Sequence, residues 1–139
     1  MNDWHSKCFY RISVKALIRN QKNEILVVDE GGGGRYALPG GGWDYGESLH
    51  DALKRELYEE ILLTSDFREN VITTIPFFNP NKNAWQMWVA CNIGYDELVY
   101  GIGDDAADVK WLHESEITTA TMGEELTKQV LETYHARRS

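Results

Sequence analysis

Apolar and polar positions change period several times along this chain, and the changes mark its elements. Residues 10–18 (YRISVKALI) are dense in β-branched and apolar side chains and predict a strand. Residues 20–23 are a polar turn, and 24–29 (EILVVD) predict a second strand folded back on the first as a hairpin. Across 48–61 the period lengthens to that of a helix, with Leu49, Leu53, Leu57 and Ile61 in one stripe joined by Ala52. Residues 70–78 and 84–93 alternate and predict an antiparallel pair around the turn Asn79-Pro80-Asn81-Lys82-Asn83. A loop over 101–107, a short strand over 108–112 and a terminal helix over 122–135 follow, the last with Leu126, Val130, Leu131 and Tyr134 on one side. On pattern alone the class is α+β, with helix layered on sheet.

The helix at 48–61 breaks the ordinary rule for a surface helix. Its carboxylates should oppose the leucines, yet at 100° per residue Glu56 and Glu60 fall roughly 20° to either side of Leu49, within the apolar stripe. Glu59 sits at the stripe's edge, and Asp51, Lys54 and Tyr58 face away. Three carboxylates within about one turn repel one another unless solvated, protonated or bound to a cation. Burying one unpaired is costly, and the negative end of the helix dipole adds to the cost. A hard divalent cation such as Mg²⁺ or Mn²⁺ removes both objections.

Composition narrows the alternatives. The chain has 139 residues, 42% apolar and 26% charged, and is expected to form a single domain over 1–139. A net charge of −8 argues against broad nucleic-acid binding. No apolar run approaches a membrane span, and the start MNDWHSKCFYR has no signal-peptide core, so a cytoplasmic location without membrane association is the expectation. A homodimer is compatible with all of this. Cys8 and Cys91 show no metal-ligand spacing and are expected as free thiols; His5, His50, His113 and His135 are scattered and expected as ordinary structural or surface residues. Gly31 to Gly34 is expected as a plain connecting loop, since no P-loop lysine follows.

The decisive feature is spacing. Gly41 is followed after five residues by Glu47, and after seven more by Arg55-Glu56-Leu57-Tyr58-Glu59-Glu60. Six residue types at fixed offsets arise by chance with a probability on the order of 10⁻⁵ or less, so a mere Glu-rich helix end is the poorer account. Residues 41–63 resemble the signature box of the Nudix hydrolases, G-x5-E-x7-R-E-U-x-E-E-x-G-U, with Leu57 and Leu63 at the apolar positions. One position departs: Leu62 stands where the family has glycine, which puts the closure of the helix in question.

The resemblance implies a Nudix-type α/β/α sandwich with a mixed β-sheet between helices. It implies metal-dependent hydrolysis of a nucleoside diphosphate linked to another moiety, with a small-molecule nucleotide as substrate and Mg²⁺ or Mn²⁺ as cofactor. Mapped onto this chain, Glu56 and Glu60 are the expected central metal ligands, Glu59 a third ligand or the general base, and the carbonyl of Gly40 a backbone ligand. Glu47 and Arg55 orient the loop and the carboxylates, although Arg55 is also placed for a simple i,i+4 pair with Glu59. A further ligand is expected from the loop before Trp111, with Asp105 chosen ahead of Asp104. Among the aromatics, Tyr36, Trp43 and Phe78 are the candidates for contact with the substrate. The main alternative is a Nudix-like binding or regulatory domain that holds a nucleotide without cleaving it. Prenyl diphosphate isomerisation ranks lower, because Cys91 has no evident partner.

Overall fold

The computed structural model describes residues 7–138. Six strands and two helices follow in chain order: β1 (Arg11–Leu17), β2 (Ile25–Asp29), β3 (Gly40–Gly42), α1 (Leu49–Ile61), β4 (Arg68–Asn79), β5 (Ala84–Gly94), β6 (Asp108–Leu112) and α2 (Met122–Arg138), with a 3₁₀ turn at Glu114–Glu116. The larger sheet is mixed, in the order β3-β1-β5-β4; β1 and β5 run parallel and the other pairs antiparallel. A second sheet pairs β2 with β6.

That pairing corrects the expected β1–β2 hairpin. The turn does start one, since Leu26 N–H reaches the Ile18 carbonyl at 3.0 Å and Asn20 N–H the Glu24 carbonyl at 3.1 Å. It goes no further because both edges of β1 are taken, by β3 on one side and β5 on the other. β2 is apolar on both faces and completes its ladder with β6 instead.

The sheets separate two cores. Alternation along β1 sends Val14 and Ala16 to one face and Leu17 to the other. On the first face Ala52, Leu53, Leu57 and Ile61 of α1 pack with Val89, Cys91 and Ile93 of β5. Full burial of each such leucine or isoleucine contributes about 1.5–3 kcal/mol. On the second face Leu126, Val130 and Leu131 of α2 pack with Ile72, Trp88 and Ala90. The layers are therefore helix, mixed sheet, helix. Among the described residues no helix is long and apolar enough to cross a membrane.

Local chemistry fixes the helix ends. Ser48 caps α1, its Oγ accepting from Asp51 N–H at 3.1 Å. At the other end Leu62 adopts the left-handed conformation, φ 49° and ψ 37°, and its N–H closes back on Tyr58 O at 3.0 Å. The helix thus closes as a glycine would close it, at a cost of roughly 1 kcal/mol for a leucine. α2 begins with a reciprocal pair: Thr121 Oγ1 accepts from Glu124 N–H, and the Glu124 carboxylate accepts from Thr121 N–H.

Candidate active site

The C-terminal half of α1 lies against the glycine strand β3. This closeness depends on the absence of side chains there. A Cβ on Gly41 would stand 2.3 Å from Glu56 Oε2. Glu60, only 3% exposed, accepts a hydrogen bond from Gly40 N–H through Oε1 at 2.7 Å. The Glu56 side chain is largely buried, whereas that of Glu59 is 39% exposed at the rim. The helical phase therefore places the carboxylates as the sequence indicates, two inward and one at the edge.

Arg55 ties the cluster together. Its Nε and one terminal nitrogen donate to the two Glu47 oxygens at 2.8 Å each, a bidentate pair. The same terminal nitrogen also reaches the Gly42 carbonyl at 2.8 Å. The other donates to Glu56 Oε1 at 2.8 Å and stands 3.6 Å from Glu59 Oε2. Both expected roles of Arg55, loop anchor and i,i+4 partner, are present in one geometry. Glu47 also accepts from Asp44 N–H, and its carbonyl accepts from Trp43 Nε1 at 2.9 Å. Trp43 is thereby held half-buried against the α1 core.

The electrostatics follow from these contacts. The Arg55 hydrogen bonds hold the Glu47 carboxyl down at about 2, and Glu47 in turn pushes the guanidinium pKa up. Burial raises Glu56 against the pull of Arg55. Burial, reinforced by a hydrogen bond with Glu30, pushes Glu60 up to about 9, with Lys15 opposing. Glu30 is a fourth carboxylate at the cluster that sequence reasoning did not single out. It follows directly on β2, and only the fold brings it beside Glu60.

The loop before β6 packs on the end of α1. Gly101, Gly103 and Asp105 donate their N–H groups to the carbonyls of Ile61, Glu60 and Glu59 at 2.7, 2.9 and 3.3 Å. A Cβ on Gly103 would stand 2.2 Å from Glu59 O. Asp104 and Asp105 line a shallow depression with Glu59, Tyr58 and Leu62. Asp108 starts β6 as expected, but its carboxylate accepts from Tyr36 Oη at 2.6 Å and pushes that phenol up to about 12. Asp105→Asn is accordingly expected to weaken turnover several-fold with an unchanged melting temperature. Asp108→Asn is expected to cost stability, about 1 kcal/mol, with little effect on turnover. Paired thermal melts and initial rates check this; loss of turnover confined to Asp108→Asn would move the loop ligand.

On the α2 side of the sheet lies a cavity of about 320 Å³, whose lining includes Lys15, Glu30, Arg35, Leu38, Trp88 and Gly123. Gly123 is drawn in because Thr127 Oγ1 accepts from Leu38 N–H and donates to the Gly123 carbonyl, stitching α2 to the segment before β3. Asp29 accepts from Gly32 and Gly34 N–H at 3.0 and 2.7 Å, so the glycine loop at the cavity mouth is held by a carboxylate. Trp88, not one of the three chosen aromatics, lines this cavity. Tyr36 is turned to Asp108 with Lys110 over its ring. Phe78 pairs with Trp85 on the α1 side of the sheet, the face opposite Trp88. A larger cleft, about 490 Å³, lies along the outer side of α1 at His50, Lys54, Tyr58 and Phe67, away from the inward carboxylates.

The remaining candidates resolve simply. Cys8 and Cys91 are free; Cys91 is buried in the α1 core, where burial and Glu69 push its thiol up to about 11. His50 contacts Glu69 and stacks on Phe67, His113 caps the 3₁₀ turn, and His135 pairs with Glu114. His5 lies outside the described residues.

The donor set suits a hard divalent cation. It is all oxygen, it carries more negative charge than Arg55 and Lys15 offset, and two members are buried at a cost that a bound cation would offset. Among the described residues no three His, Cys, Asp or Glu side chains are gathered into a ready-made ligand set. Arg55 engages Glu56, and Gly40 N–H engages Glu60.

A mixed sheet between two helices, with this box on α1, defines a class. A family model, the NUDIX domain, matches residues 9–134. The chain belongs to that family, the Nudix hydrolases. A 55-residue stretch, 40% of the chain, is 46% identical to an RNA pyrophosphohydrolase of Ruthia magnifica subsp. Calyptogena magnifica, and spans 31% of that protein. Among solved structures, a MutT protein from Methanosarcina mazei Go1 superposes with a TM-score of 0.76 at 22% identity, covering 96% of this chain and 99% of that one. An ADP-ribose pyrophosphatase from Streptococcus suis 89-1591 gives 0.67 at 20% identity, covering 94% of each. At those identities the structural likeness speaks for the fold.

Proposed function

We propose that this protein is a metal-dependent nucleotide pyrophosphohydrolase acting on a nucleoside diphosphate linked to another moiety. The observation that carries this is the disposition of α1: Glu56 and Glu60 are turned inward onto β3, Glu59 is at the rim, and Arg55 and Glu47 lock the approach. A bound Mg²⁺ or Mn²⁺ would supply charge neutralisation of the diphosphate and a lowered pKa for water. Glu56, Glu60 and the Gly40 carbonyl would hold it, with Asp105 at the rim.

The protein's own groups supply the rest. Arg55 keeps Glu47 ionised and fixes the turn over 42–47, so the carboxylates meet the substrate preorganised. Glu59, the most exposed of the three, is the group free to take a proton from attacking water. The adjoining cavity has room for the diphosphate, and Trp88 offers an apolar wall.

The test is release of phosphate, diphosphate or monophosphate from a panel, with Mg²⁺ and with Mn²⁺. The panel holds nucleoside triphosphates, ADP-ribose, a nucleotide sugar and a short RNA with a 5′-triphosphate. Saturable binding without turnover on every member would replace the enzyme with a nucleotide-binding domain.

Divalent metal alone is expected to stabilise the protein. A ligand restricted to the folded state adds about 2.7 kcal/mol at a hundredfold excess over its Kd, a Tm shift on the order of 10 °C for a domain of this size. A melting curve that ignores millimolar Mg²⁺ and Mn²⁺, with and without nucleotide, would remove the metal from the proposal.

A further inference from the structure

Lys15 stands out among the groups that no role yet explains. Alternation along β1 places it on the face of Ser13 and Leu17, opposite Val14 and Ala16, at a point where that face is buried. It is only 9% exposed. Its register partner is Gly40, the residue beneath Glu60. The ammonium lies 4.9 Å above the Trp88 ring and makes one long hydrogen bond, 3.4 Å, to the Gly40 carbonyl. Among the described residues no carboxylate is within ion-pair distance of it. A buried ammonium has three donors, and here it makes one weak hydrogen bond and a ring contact, with Glu56 and Glu60 acting on it only from beyond contact distance.

Lys15 also lines the cavity beside the carboxylate cluster. An anionic substrate entering there meets Glu30 at the wall and Glu56, Glu59 and Glu60 beyond. Of the two cations in the lining, Arg35 is exposed and Lys15 is buried. A buried point charge with unused donors is suited to phosphate oxygens.

We propose that Lys15 is a phosphate-binding residue of the substrate cavity, its ammonium receiving a non-bridging oxygen of the diphosphate over the face of Trp88. This rests on the pyrophosphohydrolase reading and adds a residue outside the Nudix box to it. The competing role is that of a resident counterion for Glu56 and Glu60, released when metal binds.

The two roles separate in a titration. The probe is α,β-methylene-ADP, whose bridging carbon resists hydrolysis, with adenosine as the uncharged control. Binding is followed by calorimetry in millimolar Mg²⁺. Lys15→Met and Lys15→Gln are expected to weaken α,β-methylene-ADP by about 10- to 100-fold and leave adenosine unchanged, while Lys15→Arg recovers most of the affinity. The metal-only Tm shift should persist in all three. On whichever panel member is turned over, KM should rise more than kcat falls.

Affinity for α,β-methylene-ADP within about twofold of wild type in both neutral variants would overturn the proposal. A strengthened metal-only shift alongside it would establish the counterion role. Should the neutral variants fail to fold, the Lys15 ammonium signal in the NMR spectrum of the wild-type protein decides. It should move with α,β-methylene-ADP and stay still with adenosine, and no movement overturns the proposal. Failure of α,β-methylene-ADP to bind the wild-type protein does the same. Turnover by wild type with unaffected Lys15 variants sinks this inference alone. Lys15-dependent binding without turnover of any panel member sinks the pyrophosphohydrolase reading and leaves the phosphate contact standing.

Discussion

Glu60→Gln is expected to lower kcat by about a thousandfold or more while leaving the fold intact. The substitution removes one negative charge from the buried end of the cluster and keeps the volume. Its amide oxygen still accepts from Gly40 N–H, so the α1–β3 contact survives. The same change should raise the Tm in EDTA by roughly 5 °C. The sign follows from the raised carboxyl. Well below the ordinary 4.5 it is protonated both folded and unfolded, and costs nothing. As pH climbs from 4.5 toward about 9, the unfolded chain ionises and the folded one resists, so metal-free stability falls across that window. Glutamine has no such component, and its metal-free pH–stability profile should be flatter. Near-normal turnover of Glu60→Gln at saturating Mg²⁺ would take Glu60 out of the catalytic set, and an unchanged profile in EDTA would deny the cost of its burial.

Gly40→Ala is expected to cost about 3 kcal/mol or more, and with it most of the activity. Gly40 has φ +139°, a region side chains rarely occupy. A Cβ there would stand 1.9 Å from the carbonyl oxygen of Val14 and 3.0 Å from Lys15 Cα, both backbone atoms of β1 that cannot rotate away. The β1–β3 register must slip or open, taking with it the N–H that holds Glu60. Gly42→Ala is the control, since a Cβ at Gly42 meets nothing within 4 Å. Urea midpoints for the two variants should differ widely; equal midpoints would mean that β3 is not built as described.

What could be read from the sequence follows the range of each interaction. α1 was legible in its start and its phase, because a stripe of leucines with carboxylates inside it is encoded within a few turns. Its ending was not. Leu62 argued for a different closure, and the tertiary frame imposes the left-handed conformation regardless, helped by Gly101 N–H on the Ile61 carbonyl. The partner of β2 was illegible because Ile25 to Val28 are apolar on both faces, so no alternation indicates a side or a neighbour. β3 is three glycines and has no side-chain period at all. For the aromatics the issue was parity: Trp85 and Trp88 lie three positions apart and so on opposite faces, and only register against β1 says which face carries the cavity. Lys15 had no such signal: it continues the alternation of Arg11 and Ser13 against Ile12, Val14 and Ala16, and only the packing of Trp88 and Gly40 on that face buries it.

The loop at 101–105 does more than deliver Asp105. Its three N–H groups satisfy the last carbonyls of α1, at Glu59, Glu60 and Ile61, which a helix otherwise leaves open. Helix end and loop are therefore one cooperative opening unit. Amide exchange at Gly101, Gly103 and Asp105 should share a single opening free energy, and whatever tightens the carboxylates from the front slows all three from behind. The loop cannot swing aside as an independent lid, because lifting it frees the backbone on which two of the three carboxylates are mounted. Access to the site then falls to the opposite wall, where, among the described residues, the side chain of Asp29 is what ties the amides of the glycine loop at 31–34.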